Sequence, residues 1–372
     1  MSSLRVAFVA GTLGQGGAEK QLVYMATALH RAGVDVRIFS LTRGEFYEGA
    51  LRTAGLEPTW IGRTSLPPAR IGILAAAMAP SRPHIIQSGH FYANGYVALT
   101  APLVGAMSIG AVRNDAHFDV GANGRWGRWL LRAPETLICN SETAKRNAEE
   151  LGRSSADMRV VSNVIDLAEL PRPAERASSD PVVVITTCRL VAQKRVDRLL
   201  HAVGAVRRAG MEIELRIAGE GPERPALERL AGELHLPPDV VRFLGRRDDV
   251  ASELRRASIF ALTSDHEGFP NVVLEAMAAG LPVVTTDAGD AGVAVVDDET
   301  GYVVRVGDDG ALLERLTRLV RSPELRRTMG QAGRLRVERM YGLETLSATL
   351  LETYRSLATG RHRRGVLRAL DA

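Results

Sequence analysis

Ser264 to Val284 reads SDHEGFPNVVLEAMAAGLPVV. Just before it, Ser258–Thr263 (SIFALT) is a short apolar run of strand length, and just after Pro270 the apolar residues recur at helical spacing. The spacing predicts strand, loop, helix, with the helix starting near Asn271 and stopping at Gly280, a residue type that commonly ends helices. Two glutamates are split across this unit. Glu267 precedes the helix N-terminus, where free backbone N–H groups favour anions, and Glu275 lies one turn in, on the same side. A carboxylate so placed can accept from two vicinal hydroxyls, as ribose recognition requires.

Outward from this stretch the same alternation continues in both directions. Arg5–Ala10 is a strand, and the glycine-rich run Gly11 to Glu19 follows it directly. Such a loop lets backbone N–H groups approach phosphate at a helix start. It is not a dinucleotide fingerprint, because Glu19 stands at the third glycine position of G-x-G-x-x-G. Strands are expected at residues 34–40, 57–61, 84–88, 107–112, 135–140 and 158–162, with helices between most of them. Alternation of this kind means a doubly wound parallel sheet, whose ligands bind beyond the carboxyl ends of its strands. That rule selects Ser88 to Phe91, including His90, then Arg113 and Asn114, Asn140 and Ser141, and Asn163. Residues 171–181 read as a Pro/Ser-rich linker. Beyond it, VVVITTCRLVAQKR places Arg189 and Lys194 between a strand and a helix, a guanidinium fork and a point charge suited to a diphosphate. Gly219 and Gly221 close one further strand, and Gly245 with Arg246 closes another.

Size and composition agree with two α/β domains. The chain has 372 residues, 45% apolar and 24% charged. A net charge of +4 and a pI near 9.3 suit an anionic ligand or an anionic membrane surface, and no nucleic-acid motif is present. Cys139 and Cys188 lie in strand-like runs and read as buried reduced thiols, fitting a cytoplasmic chain without a signal peptide. Residues 83–112 carry no Lys, Arg, Asp or Glu, yet His84, Gln87, His90, Asn94 and Pro102 interrupt them, so strand, helix, strand is expected and not a membrane span.

The stretch Ser264–Val284 resembles the paired-glutamate signature of the family-4 retaining glycosyltransferases, and other motifs of that family recur in order along nearly the whole chain. The resemblance implies a GT-B fold, with two doubly wound Rossmann-like domains facing a central cleft. It implies an acceptor-side domain over residues 1–170 and a nucleotide-sugar-binding domain over 182–340. A helix at 341–358 would cross back to the first domain, leaving 359–372 as a basic tail. It also implies roles. Arg189 and Lys194 would bind the donor pyrophosphate, Glu275 the ribose, and Glu267 the transferred sugar or its phosphate. Gly16 and Gly17 would face the diphosphate, Gly219, Gly221, Gly268, Phe269, Pro270 and Asn271 would line the donor, and the base would lie around Arg246 to Val250. Arg113 or His117 would take the place of the family's cleft histidine, and His90, Arg113 and Asn114 would meet the acceptor. Arg195 stands where glycine is usual, and Ala288-Gly289-Asp290 replaces a double glycine followed by glutamate. Residues 285–304 resemble the family's closing loop and hairpin.

The implied activity is retaining transfer of a hexosyl unit from a nucleotide sugar, UDP-sugar favoured and GDP-sugar the alternative. The acceptor would be a lipid-linked saccharide, a polysaccharide of the cell envelope or a small natural product. No metal and no cofactor is expected, since Asp248-Asp249 and Asp297-Asp298 lack His or Cys at ligand spacing. An epimerase, phosphorylase or synthase of the same architecture, or a non-catalytic nucleotide-sugar-binding protein, are the alternatives. Arg125, Arg128 and Arg132 on one side and Trp126, Trp129 and Leu130 on another give residues 125–132 a basic amphipathic pattern, suited to peripheral contact with an anionic membrane.

Overall fold

The computed structural model describes residues 4–170 and 181–371. Their contacts form two units, one of Met1–Val164 with Leu343–Ala372, the other of Ile165–Gly342. The linker expected at 171–181 lies outside the described residues except for Pro181.

The first unit opens with β1 (Arg5–Ala10), α1 (Gly17–Arg31), β2 (Asp35–Ser40), α2 (Glu48–Thr53), β3 (Pro58–Trp60) and α3 (Pro67–Met78). It continues through β4 (Ile85–Ser88), α4 (Asn94–Val104), β5 (Met107–Val112), α5 (Ala116–Ala122), α6 (Gly127–Arg132), β6 (Thr136–Cys139), α7 (Glu142–Glu150) and β7 (Met158–Val160). All strand pairs are parallel, in the order β3-β2-β1-β4-β5-β6-β7. Helices on both faces bury β5 and β6 completely, which is why these strands read as unbroken apolar runs.

The second unit holds β8 (Val182–Thr187), α8 (Val196–Arg208), β9 (Ile213–Ala218), α9 (Arg224–Glu233), β10 (Val241–Gly245), α10 (Val250–Arg255) and β11 (Ile259–Leu262). Then come α11 (Asn271–Ala278), β12 (Val283–Thr286), α12 (Ala291–Ala294), β13 (Gly301–Val304), α13 (Asp309–Arg321) and α14 (Pro323–Met340). Its sheet is again all parallel, ordered β10-β9-β8-β11-β12-β13. The chain finally rejoins the first unit as α15 (Leu346–Gly360) and α16 (Arg364–Leu370). Leu346, Leu350, Tyr354 and Leu357 there complete the same core as β1 and α1.

Four sequence expectations change. Residues 165–170 belong with the second unit, because Ile165 and Leu170 join its core and Arg334 donates to the Leu170 and Ala278 carbonyls. The expected hairpin at 285–304 is absent. The chain turns through α12 and through Asp298 at φ +62°, so β13 enters beside β12 in the same direction. The basic tail folds as α16, with Val366 and Ala369 in the first unit's core and Arg363 paired with Glu135. Residues 125–132 split into a 3-10 turn and the short α6, with Leu130 and Leu131 buried and both tryptophans outside.

In each sheet the strand order reverses once, between β1 and β4 and between β8 and β11. At such a point the loops beyond the carboxyl ends of the two strands diverge and leave a crevice, the usual ligand position in open α/β sheets.

Candidate functional site

In the second unit the loops flanking this crevice follow β8 and β11, and they carry Lys194 and Glu267. The Lys194 ammonium donates to Glu267 Oε1, and the same oxygen accepts from Ser264 Oγ at 2.6 Å. The two loops are also tied through the backbone. Asp265 N–H donates to the Gln193 carbonyl at 2.9 Å, and Thr263 Oγ1 donates to the Arg195 carbonyl at 2.9 Å. Glu267 is 8% exposed, so its charge rests on these donors rather than on water.

Arg195 explains why glycine suits its position. Its φ is +47°, a conformation L-residues rarely hold. The side chain is folded away onto Asp197, at 2.9 Å, and Asp265, at 3.4 Å, while Arg198 takes the other Asp265 oxygen at 2.7 Å. The Asp197 hydrogen bonds outweigh burial and raise the Arg195 guanidinium above its ordinary value. The extra positive charge expected from Arg195 is therefore compensated within the loop.

Arg189 is exposed at the end of β8. Its loop is set by the glycines after β9. A Cβ on Gly219 would lie 1.8 Å from the Cys188 carbonyl oxygen, and one on Gly221 would lie 2.3 Å from that of Leu190. Backbone bonds lock the contact, Leu190 N–H to Glu220 O at 2.9 Å and Glu223 N–H to Leu190 O at 3.0 Å. Gly219 and Gly221 thus shape the loop that presents Arg189. Burial pushes the neighbouring Cys188 thiol up to about 11, so it stays protonated at neutral pH. Arg246 is exposed beyond β10, and Asp249 in the same loop caps α10 through Ser252 N–H.

Helix α11 buries most of its surface, leaving Asn271, Val272 and Glu275 partly accessible. Asn271 and Glu275 share a face at i, i+4. The helix starts at Asn271 as expected and ends in a Schellman turn, with Gly280 at φ +71° and Leu281 N–H on the Ala276 carbonyl. The Phe269 ring is buried against Tyr341, with centroids 5.4 Å apart, so it anchors the loop beside Gly268. Pro270 is buried at the N-cap, and the Gly268 carbonyl accepts from Asp290 N–H at 2.8 Å. Gly289, at φ +59°, packs on the Glu267 and Gly268 carbonyls, where a Cβ would come within 2.4 Å.

The first unit repeats the arrangement with different chemistry. The loops after β1 and β4 bring Gly11, Glu19 and His90 together. His90 Nδ1 accepts from Gly11 N–H at 3.2 Å, which leaves the proton on Nε2, 3.2 Å from Glu19 Oε1. That second contact has ion-pair distance without hydrogen-bond alignment. The His90 ring stacks on Tyr92 at 5.4 Å. Gly16 is the N-cap of α1, with Gly17 its first residue, and the Glu19 carboxylate folds back over Gly16, where a Cβ would meet it at 2.2 Å. His90 is thus buried behind the glycine-rich loop rather than open to an acceptor. Glu45, in the loop after β2, accepts from Thr12 Oγ1 at 2.8 Å and from Thr42 Oγ1 at 2.5 Å, as well as from Leu13 N–H. These bonds overcome the effect of burial and hold its carboxyl below the ordinary range.

Three nominated residues do not converge on this cluster in the expected way. The Arg113 guanidinium turns inward, donating to Met25 Sδ at 3.2 Å, and burial pushes it down to about 10. Asn114 follows it half-buried at the end of β5. His117 sits on the surface of α5, its Nε2 2.9 Å from Glu150 Oε2. Sequence reasoning missed Ser264, Glu19 as a carboxylate partner and Glu45. It also missed Arg43, stacked 4.2 Å from the Trp60 ring at the carboxyl ends of β2 and β3. Only the position of Ser264, Glu45 and Arg43 beyond strands, and of Glu19 in the first turn of α1, could have drawn attention to them.

Two all-parallel doubly wound sheets, each with a polar constellation at its switch point, define the GT-B class of glycosyltransferase fold. Residues 15–169 match the profile of glycosyltransferase family 4 and residues 169–336 that of glycosyl transferases group 1. The D-inositol 3-phosphate glycosyltransferase of Streptomyces scabiei is 30% identical over 95% of this chain and 89% of its own. The glycogen synthase of Mycobacterium tuberculosis is 30% identical over 62% of this chain, and the match spans little more than half of that relative's length, 56%. Among solved structures, Anabaena HepE in complex with UDP has the same fold, with a TM-score of 0.82 and 18% identity over 95% of this chain and 100% of that one. The chain belongs to glycosyltransferase family 4.

Proposed function

We propose that the protein is a retaining glycosyltransferase that moves a hexosyl unit from a nucleotide sugar to a hydroxyl acceptor, without a metal. The observation that carries the reading is the Lys194–Glu267 pair at the second unit's switch point, with Arg189 on the same loop as Lys194. Arg189 and Lys194 bind the donor diphosphate. When the glycosidic C–O bond breaks, its electron pair passes to the β-phosphate oxygen, and the two cations stabilise that charge. One well-aimed donor of this kind is worth on the order of 100- to 1,000-fold in rate. The acceptor oxygen attacks the anomeric carbon from the face the phosphate leaves, and its proton passes to a phosphate oxygen. No protein nucleophile takes part. Glu275, on the accessible stripe of α11, accepts from the ribose hydroxyls, and Glu267 turns from Lys194 to the sugar as the diphosphate takes the ammonium.

A UDP-sugar is the favoured donor, in line with the neighbour solved with UDP-glucose, and a GDP-sugar is the alternative. Similarity to Rhizobium meliloti lipopolysaccharide core glycosyltransferases favours a cell-envelope saccharide as acceptor. The test is a calorimetric screen of UDP, GDP and ADP and their sugar conjugates, with EDTA and then with magnesium. Selective binding of one nucleotide in EDTA, followed by transfer to an added acceptor, supports the reading. Nucleotide binding without transfer would favour a binding protein, and binding only with magnesium would overturn the metal-independent mechanism.

A further inference from the structure

Helices α3, α4 and α6 lie side by side on one face of the first unit's sheet. Their inner sides are buried, yet their outer sides are not the polar surface such helices ordinarily present. Trp126 and Trp129 are 56% and 40% exposed while Leu130 and Leu131 of the same segment are buried. Leu99 and Leu103, one turn apart on α4, are 46% and 65% exposed, and Leu66, just before α3, is 65% exposed. The patch is continuous, since the Trp129 ring lies over Gly95 of α4, where a Cβ would come within 2.8 Å.

Charge on this face has one sign. Helix α3 carries Arg70 as its single charged residue, and Arg125 and Arg128 flank the tryptophans, Arg125 stacked 5.2 Å from the Trp126 ring. From Leu66 to Ala133 the acidic residues are Asp115 and Asp119. Asp115 is engaged in capping α5 and accepting from Asn147, and Asp119 is partly buried. We infer that the outer face of α3, α4 and α6 docks on an anionic lipid bilayer. Exposed tryptophan and leucine enter the interface, and the arginines meet lipid phosphates from stems that stay on the apolar surface. Among the described residues no helix is long and apolar enough to span the membrane, so the contact is peripheral. Under the transferase reading, a chain held there works on acceptors presented at the bilayer.

The test sediments the full chain with phosphatidylcholine vesicles, with and without about 30 mol % phosphatidylglycerol, at low and physiological salt. Wild type is expected to co-sediment with anionic vesicles and to be released by salt. Arg125→Ser/Arg128→Ser should weaken the partition by about thirty-fold, from about fivefold for each charge near the surface. Leu103→Ser/Trp126→Ser should weaken it in low salt too, where charge alone would hold the protein. Both variants change exposed side chains, and UDP affinity and Tm serve as controls for folding and for the donor reading. Absence of wild-type binding to anionic vesicles at low salt, or equal binding by the variants, would overturn the inference. A dimer in sedimentation velocity that the Leu103→Ser/Trp126→Ser variant disperses, without vesicle binding, would assign the face to a second copy instead. UDP binding is independent of either result, so loss of one reading leaves the other standing.

Discussion

The ammonium of Lys194 rests on the carboxylate of Glu267, 73 positions further along the chain, and the pair ties together the loops after β8 and β11. Each side chain is a counter-charge for the other, and Ser264 Oγ supplies the second contact to Glu267 Oε1. Lys194→Ala should lower turnover about 100- to 1,000-fold, and leave Glu267 short of a partner at a cost of about 1–3 kcal/mol in stability. A double-mutant cycle with Glu267→Gln, read in UDP-sugar affinity, should give a coupling of at least about 1 kcal/mol. Additive effects would mean the pair is not used as a unit in donor binding.

Glu275 occupies the accessible stripe of an otherwise buried helix. Glu275→Ala should cost about 1.5–3 kcal/mol in nucleotide affinity, the worth of a hydrogen bond to a charged group. Titration calorimetry against UDP and GDP checks this. Equal affinity for wild type and variant would remove the ribose contact.

Gly221 faces the Leu190 carbonyl, with 2.3 Å between the oxygen and any added Cβ. Gly221→Ala must push the Arg189 loop away. Overpacking of this kind costs about 1–3 kcal/mol, and activity should fall further than the loss of folded protein explains. Thermal unfolding and kcat/KM on the same preparation separate the two effects.

Arg195 holds φ +47° and is neutralised by Asp197 and Asp265. Arg195→Gly relieves backbone strain of about 1–2 kcal/mol and gives up partly exposed ion pairs of similar total value. Stability should change by less than about 1 kcal/mol, and turnover should stay within a few-fold of wild type. A tenfold rise in KM for the donor would instead make Arg195 a phosphate ligand.

Burial first, and Asp115 second, push the Asp119 carboxyl up to about 7. The folded protein therefore binds this proton more tightly than the unfolded chain. The associated stability is fully present below the unfolded value near 4 and is lost as pH rises through about 7. Asp119→Asn should flatten that slope and leave the protein on the order of 1–3 kcal/mol more stable than wild type above pH 7. Urea unfolding at pH 5 and pH 8 decides it, and parallel slopes would reject the assignment.

Strands were legible because parallel sheets bury both faces, so runs such as Val182–Thr187 and Met107–Val112 contain little that is polar. Lys194, Glu267 and Glu275 were legible one at a time, through their positions after strands and through the family resemblance. Their pairing was not, because sheet order brings β8 beside β11 and no local signal reports it. The inward turn of Phe269 and Arg113 was hidden for a related reason. Each lies in a loop beyond a strand, but packing turns one ring toward Tyr341 and one guanidinium toward Met25. The boundary shifted because Arg334, 164 positions away, claims the Leu170 carbonyl. Gly219 and Gly221 looked like ligand contacts, whereas their missing side chains are used first by the backbone at Cys188 and Leu190.

The first unit's core is closed by a segment that follows the whole second unit, and Tyr354 on α15 donates to Gln87, 267 positions earlier, at 2.6 Å. During synthesis on the ribosome, every described residue of the second unit's core, from Ile165 to Tyr341, is made before α15. Residues 4–164 lack the part of their core supplied by Leu346, Leu350, Tyr354 and Leu357 until α15 arrives. The unit made first is therefore the last to complete its core.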